Sequence, residues 1–511
     1  MANRLLMLAG LVFAAITIVV PAANTAGGTD TSALRNAVTV DGVMAHETAL
    51  QQIANQNNGT RASGTSGFDA SVNYVAGKLL GAGYQVTVQQ FTYDQFRLLT
   101  PSVFARISPT PRAYVESFEG DYLTMQYSGS GDFTAPLVRA GGIVIPSPGG
   151  STSGCSSTDF NGFPAGAIAL IQRGTCTFRI KATNAQAAGA VAVVIFNEGN
   201  IDPEDDRFGP INGTLDPPQD DIPVIGTSFA VGQELNQLVQ QGPVTVRVKV
   251  DAGVVTTPSA NVLADTPTGR ANRVVVVGSH LDSVPEGPGI NDNGSGSAAD
   301  LEVALQMASL GIQPTNKVRF AFWGAEEDGL IGSDYYVANL SNQERHRIAL
   351  NLNFDMVGSP NFVRFVYDGD GSAFGTDGPS GSGTIEDTFT DYFDSIGLQT
   401  SRTEFDGRSD YDAFINNGIP AGGLFTGAEG IKTAEEAAIY GGTAGEPHDP
   451  CYHQSCDTIT NLSSVALDQM SDAIAHATLT FAMTGSGVNG TDNANNDAKA
   501  ASKFHGSRLE K

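Results

Sequence analysis

Basic residues are scarce in this chain: 28 lysines and arginines stand against 54 aspartates and glutamates, a formal charge of −26. Such an imbalance repels a nucleic-acid backbone or an anionic membrane surface, so neither is expected as a partner. Cysteine is scarcer still, with four in 511 residues, too few for a disulfide-stapled module and not spaced as a zinc ribbon. After residue 20 no long run is purely apolar, which argues against a polytopic membrane protein. There is no solenoid repeat and no glycine-rich phosphate loop with its lysine. A Gly-x-Ser-x-Gly nucleophile turn is also missing: Gly294-Ser295-Gly296-Ser297 reads instead as a loop entering a helix, with Ser295 as its cap. What is present is 41% hydrophobic residues over a length that suits about two to four domains.

The two ends read differently from the middle. Arg4, the apolar run 5–20 and the small-residue stretch 21–26 read as a secretory signal over residues 1–26, with an uncleaved anchor as the alternative. No cysteine stands near the cleavage stretch to take a lipid. Residues 485–511 lack apolar periodicity and are expected to form a disordered polar tail. In an exported protein thiols tend to pair. Cys451 and Cys456 bracket four residues and can close a small loop, leaving Cys155 with Cys176; a free thiol or an intermolecular bridge is the alternative.

Between the ends, residues 66–80 carry helical spacing and 84–88 alternate as a strand, while 57–64 read as a surface turn, with a segment bordering a cleft as the alternative. Short strand-like runs at 142–146, 167–171, 191–196, 222–225 and 244–250, with one helix at 179–188, suggest a mixed domain over residues 115–250 inserted into a larger one. The larger domain would comprise 27–114 and 251–484. Four consecutive valines, 274–277, predict a strand buried on both faces. Strands at 317–323, 347–355 and 420–425 alternate with helices at 295–310, 380–396 and 462–483, which indicates an α/β sandwich.

Polar residues gather where these strands end. The valine strand runs into His280-Leu281-Asp282, whose alternation lets His280 and Asp282 point the same way at the carboxyl edge, where open α/β sheets place ligands. Asp292 follows in a glycine-rich loop, Glu326-Glu327 follow the apolar run ending in Trp323, and Asp355 ends the next strand. Adjacent carboxylates beyond a buried strand need a compensating cation, hydrogen bonds or a raised pKa. His453 lies inside the 451–456 loop. Imidazole with carboxylate suits zinc, and two ions sharing a carboxylate can acidify a water that a nearby base deprotonates.

Taken together, His280-Leu281-Asp282, Asn291-Asp292-Asn293-Gly294, Gly324-Ala325-Glu326-Glu327, Asn353-Phe354-Asp355 and Cys451-Tyr452-His453 resemble the M28 family of zinc peptidases, most closely secreted bacterial aminopeptidases of the Streptomyces type. The resemblance implies a three-layer α/β/α domain with a central mixed sheet and two zinc ions. It makes His280 and Asp355 ligands of one ion, Asp292 the bridge, and Glu327 and His453 ligands of the other. Glu326 would be the general base, Asp282 the group that orients His280, Tyr452 the oxyanion donor and Arg408 a substrate-positioning residue, with a surface ion pair as the alternative for Arg408. Residues 155–197 resemble a protease-associated domain, which would screen substrates or merely shield the core. The implied function is a secreted aminopeptidase acting on peptide or protein N-termini, favouring apolar residues such as leucine, with a monomer as the expected state. An M28-type carboxypeptidase or dipeptidase, a glutaminyl cyclase and a non-catalytic binding protein are the alternatives. An accessory calcium is left open, with no residue assigned to it.

Overall fold

The computed structural model describes residues 29–484 apart from 119, 146–149, 200, 203 and 204. The expected leader and tail lie outside the described residues. Among the described residues no helix is long and apolar enough to cross a membrane.

The valine strand, Arg270–His280, is the centre of a mixed sheet. Its parallel neighbours are Asn316–Trp323 and Ile348–Phe354, and Ala421–Phe425 follows Ile348–Phe354 in parallel. Side chains alternate across a strand. Val275 and Val277 therefore join one core, against helices Val40–Gln56, Ser66–Gly81, Gly296–Ser309 and Ser464–Met483. Val274 and Val276 join the opposite core, with Trp323, Tyr336, Tyr411 and Phe414. All four valines are buried, so the apolar run is explained by two covered faces.

Two long strands, Gln85–Ser108 and Thr245–Asp265, pair antiparallel along nearly their whole lengths and carry the inserted domain. The second strand serves both domains: Val262 pairs with Phe322 of the central sheet, while Val246 pairs with Ala135 of the insert. The expected boundary at residue 250 thus falls inside one continuous strand. In the insert, strands Gly131–Arg139, Ile168–Gln172, Ala192–Phe196 and Val224–Thr227 run parallel. Two helices accompany them, Phe178–Ala187 and Phe229–Gln241, where the sequence suggested one. The expected strand at 142–146 does not form over its described residues, 142–145. All four cysteines are paired, Cys155 with Cys176 and Cys451 with Cys456.

Helix Val40–Gln56 was not anticipated, although its signals are ordinary. The Thr39 side chain accepts from the Gly42 N–H at 3.2 Å, and Val43, His46, Glu47, Leu50 and Ala54 form one buried stripe. Ser295 does not cap the following helix as expected. Its hydroxyl donates to the Asn291 carbonyl at 2.7 Å and accepts from Val357 N–H at 2.8 Å, which ties the glycine-rich loop to the segment after Asp355.

Candidate metal centre

The ends of three adjacent strands and two loops converge on one buried cluster. His280 Nε2 lies 3.2 Å from Asp292 Oδ1, 3.2 Å from Asp355 Oδ1 and 3.9 Å from Glu326 Oε2. His453 Nε2 lies 3.3 Å from Asp292 Oδ2 and 3.0 Å from Glu327 Oε2. The two oxygens of Asp292 therefore face two different imidazoles. Donor atoms of His280, Asp292 and Glu327 form one group close enough to share an ion, and those of His280, Glu326 and Asp355 form another.

Burial sets the electrostatics. It raises the Glu326 carboxyl well above its usual range, with Asp410 and Asp355 adding and His280 opposing. Burial and Asp292 raise Glu327 likewise. Asp292 goes the other way: burial is outweighed by hydrogen bonds to both histidines, which hold it below the usual carboxylate range. Burial opposes charge on His280, yet Asp355, Glu326 and Asp292 overcome it and push the imidazole pKa well up. The surrounding carboxylates likewise outweigh burial at His453, so both imidazoles are raised above their usual value. The Glu327 Oε1 atom is buried without a hydrogen-bond partner. That orphaned oxygen and the imidazole and carboxylate donor set fit bound zinc.

The supporting contacts come from distant parts of the chain. Asp282 accepts the backbone N–H of Glu326 at 3.1 Å and of Glu327 at 3.4 Å, fixing the twin glutamates. Its carboxylate is 3.8 Å from His280 Nδ1, farther than its own main-chain oxygen at 3.2 Å. Burial pushes Asp282 up to about 8. Asp457 accepts from the N–H groups of Asn291 and Asp292 at 2.8 and 3.0 Å, and Asp449 accepts from Asn291 Nδ2 at 2.6 Å and from Cys451 N–H at 2.8 Å. The Asp292 loop and the disulfide loop are thereby one hydrogen-bonded unit. Ser409 donates to Asp355 Oδ2 at 2.6 Å. Ala325, Met356 and His453 all have positive φ, so three ligand-bearing segments hold non-glycine residues in the left-handed region. Gly289 also has positive φ, and a Cβ there would lie 2.4 Å from the Asp292 carbonyl.

The stretch 57–64, expected to be a surface turn, is the largest correction. Arg61 is fully buried behind the cluster, and its guanidinium donates to the carbonyls of Leu281, Pro288 and Gly289. It thus grips the segments that follow His280 and precede Asp292. Glu47, equally buried, has no hydrogen-bond partner for either oxygen, and burial raises its pKa well above the usual range against the pull of Arg61. Tyr452 and Arg408 lie at the rim: Arg408 Nη2 donates to the Tyr452 hydroxyl at 3.1 Å and Nη1 pairs with Glu429 at 2.8 Å. The Tyr452 ring stacks on His453 with centroids 3.8 Å apart. A third acidic cluster, Asp368, Asp370 and Glu386, accepts from backbone N–H groups and pairs with Arg402.

Residues 261–478 match the model of peptidase family M28, and residues 133–235 match the PA domain. An aminopeptidase of Pseudomonas aeruginosa is 50% identical over 84% of this chain and 78% of its own length. A protein of Mycobacterium tuberculosis named "Probable lipoprotein aminopeptidase LpqL" is 44% identical over 90% of this chain and 88% of its own. One of Aspergillus fumigatus named "Probable leucine aminopeptidase 2" is 43% identical over 83% and 79%. Among solved structures, an aminopeptidase from Aneurinibacillus sp. strain AM-1 superposes with a TM-score of 0.69 at 28% identity, covering 89% of this chain and 97% of that one. A zinc aminopeptidase from Bacillus subtilis gives 0.60 at 26% identity, covering 86% and 94%.

Proposed function

The chain belongs to peptidase family M28, and from that premise we propose that it is an exported two-zinc aminopeptidase that releases apolar N-terminal residues, leucine among them, from peptides. The observation that carries the two-metal reading is Asp292, whose Oδ1 and Oδ2 face different histidines at 3.2 and 3.3 Å. His280, Asp292 and Asp355 would hold one ion, and Asp292, Glu327 and His453 the other. When bound, such ions polarise a carbonyl and acidify a water.

The chain's own groups do the rest. Glu326, whose carboxyl burial raises well above its usual range, takes the proton of the attacking water and delivers it to the leaving nitrogen. Tyr452 accepts a hydrogen bond from Arg408, so its own phenolic hydrogen stays available for the developing oxyanion. Burial raises the Tyr452 pKa well above its usual value, which keeps that hydrogen in place. Arg408 on this reading positions Tyr452 and is itself held by Glu429.

Leucine preference is supported by the name of the Aspergillus relative, and export by two disulfides together with the leader-like sequence. The test is a set of peptides blocked separately at each terminus. Acetylation of the amino terminus should abolish cleavage and amidation of the carboxyl terminus should not. The reverse pattern would make the protein a carboxypeptidase, and cleavage of dipeptides alone would make it a dipeptidase.

A further inference from the structure

The inserted domain reaches the candidate centre with one aromatic ring. Phe118 meets the His453 ring edge to face, with centroids 6.4 Å apart and planes at 69°. The turn presenting it is braced: Asp121 N–H donates to the Val115 carbonyl at 2.8 Å, Val115 N–H donates to Asp121 Oδ2 at 2.9 Å, and Arg112 pairs with Asp121 at 2.9 Å. The ribbon carrying the insert is fastened to the turn of the twin glutamates, because Tyr93 and Gln95 both donate to Asp328, Gln95 at 2.6 Å. Phe118 is nevertheless 47% exposed, so part of the ring beside His453 faces solvent.

We propose that Phe118 is a specificity-determining residue, an apolar wall that the inserted domain supplies for the substrate side chain following the cleaved bond. The proposal rests on the aminopeptidase reading above. An enzyme that removes the first residue must enclose that residue and let the remainder of the peptide leave through the mouth. A half-exposed ring beside His453, held on a braced turn, meets this outgoing part. Its chemistry favours an apolar or aromatic second residue, and a substrate without a second side chain gains nothing from it.

The experiment compares the native enzyme with F118A and F118L on leucinamide, Leu-Gly amide and Leu-Phe amide, with zinc content measured for each protein. For Leu-Phe amide, F118A should raise KM about fivefold, the effect of one lost aromatic contact, with kcat and zinc content unchanged. Leucinamide kcat/KM should stay within about twofold, and F118L should recover part of the loss. Equal losses on leucinamide and Leu-Phe amide would overturn the proposal by showing that the ring only props His453, and unchanged KM on all three substrates would overturn it as well. Failure of the native enzyme to cut any of the three would instead refute the aminopeptidase reading, and this proposal with it.

Discussion

Replacing Arg61 with methionine removes one donor from each of three buried carbonyls, those of Leu281, Pro288 and Gly289, while keeping most of the side-chain volume. The Gly289 carbonyl keeps the Gly294 N–H at 3.0 Å, so two acceptors are left unpaired; at about 1–3 kcal/mol each the gross loss is on the order of 2–6 kcal/mol. Two effects reduce it. A guanidinium no longer has to be held away from water, and Glu47, whose pKa burial already raises well above the usual range, does not become a bare buried charge. A net destabilisation of about 1–3 kcal/mol remains, within the roughly 5–15 kcal/mol that holds a folded domain, so R61M should fold with a lower Tm.

The larger effect should be on metal. Leu281 follows His280 directly, and Gly289 begins the loop that carries Asp292, so losing both grips loosens the segments that carry His280 and Asp292 together. Loss of partners that orient ligands lowers metal affinity by about 10- to 100-fold. The assays are zinc titration followed by competition with a chromogenic chelator, and thermal unfolding with and without zinc. R61K, which keeps a charge but not the fork of donors, should fall between the two. If R61M bound zinc as tightly as the native protein, Arg61 would be a core-filling residue and the assignment of a gripping role would be wrong.

Three further outcomes are expected. E326Q should keep most of its zinc while kcat falls by about 10²- to 10⁴-fold, the contribution of a positioned base, and equal loss of metal would move Glu326 among the ligands. Opening the small loop with C451S/C456S should cost about 2 kcal/mol of stability and lower zinc affinity and rate together; an unchanged affinity and rate would show that the loop holds His453 without the bridge. The third concerns His476, which stacks on Tyr392 and sits 2.8 Å from the Thr31 hydroxyl, with burial and then Arg35 pushing its pKa down to about 4. Its folded pKa lies below the ordinary 6.5, so on acidification the unfolded chain takes the proton first, and the stability present above pH 6.5 is lost as pH falls to about 4. H476Q should therefore lose less Tm than the native protein across that window, and parallel curves would contradict the sign.

The parts of this fold that the sequence announced are those where one local pattern has one tertiary meaning. Four valines in succession can only be satisfied by cover on both faces, and the structure provides two separate cores. A carboxylate pair placed just beyond an apolar strand is costly without a cation, hydrogen bonds or a raised pKa, and that cost singles out Glu326 and Glu327. The ribbon was less legible, because Gln85–Ser108 mixes exposed and buried positions and includes Pro101, and its continuity depends on pairing with a strand far away in the chain. Residues 57–64 were misleading for a related reason. Asn, Gly, Thr and Ser clusters are the composition of turns, and nothing local shows that the arginine among them is driven inward by carbonyls more than 200 residues away.

The residues that hold the cluster share that property. Asp292 and its neighbour Asn291 are fixed by Asp457 and Asp449, the turn of Glu326 and Glu327 by Asp282, Asp355 by Ser409, and the loop before Asp292 by Arg61. Most of these supports arrive from a segment remote in sequence. A metal ligand has to belong to a short chemical list, so a motif can reveal it. A group that holds a ligand in place has only to reach a backbone N–H or carbonyl, which nearly every polar residue can do, so identity is uninformative and position decides. The loose chemical requirement also sets how the two groups respond to substitution. Exchanging a ligand should change which ion binds or whether one binds, whereas exchanging a support should change how tightly metal is held, with the loss graded by how many donors the replacement retains. The intermediate behaviour expected of R61K is the direct test of that difference, because lysine at a ligand position would have no intermediate to offer.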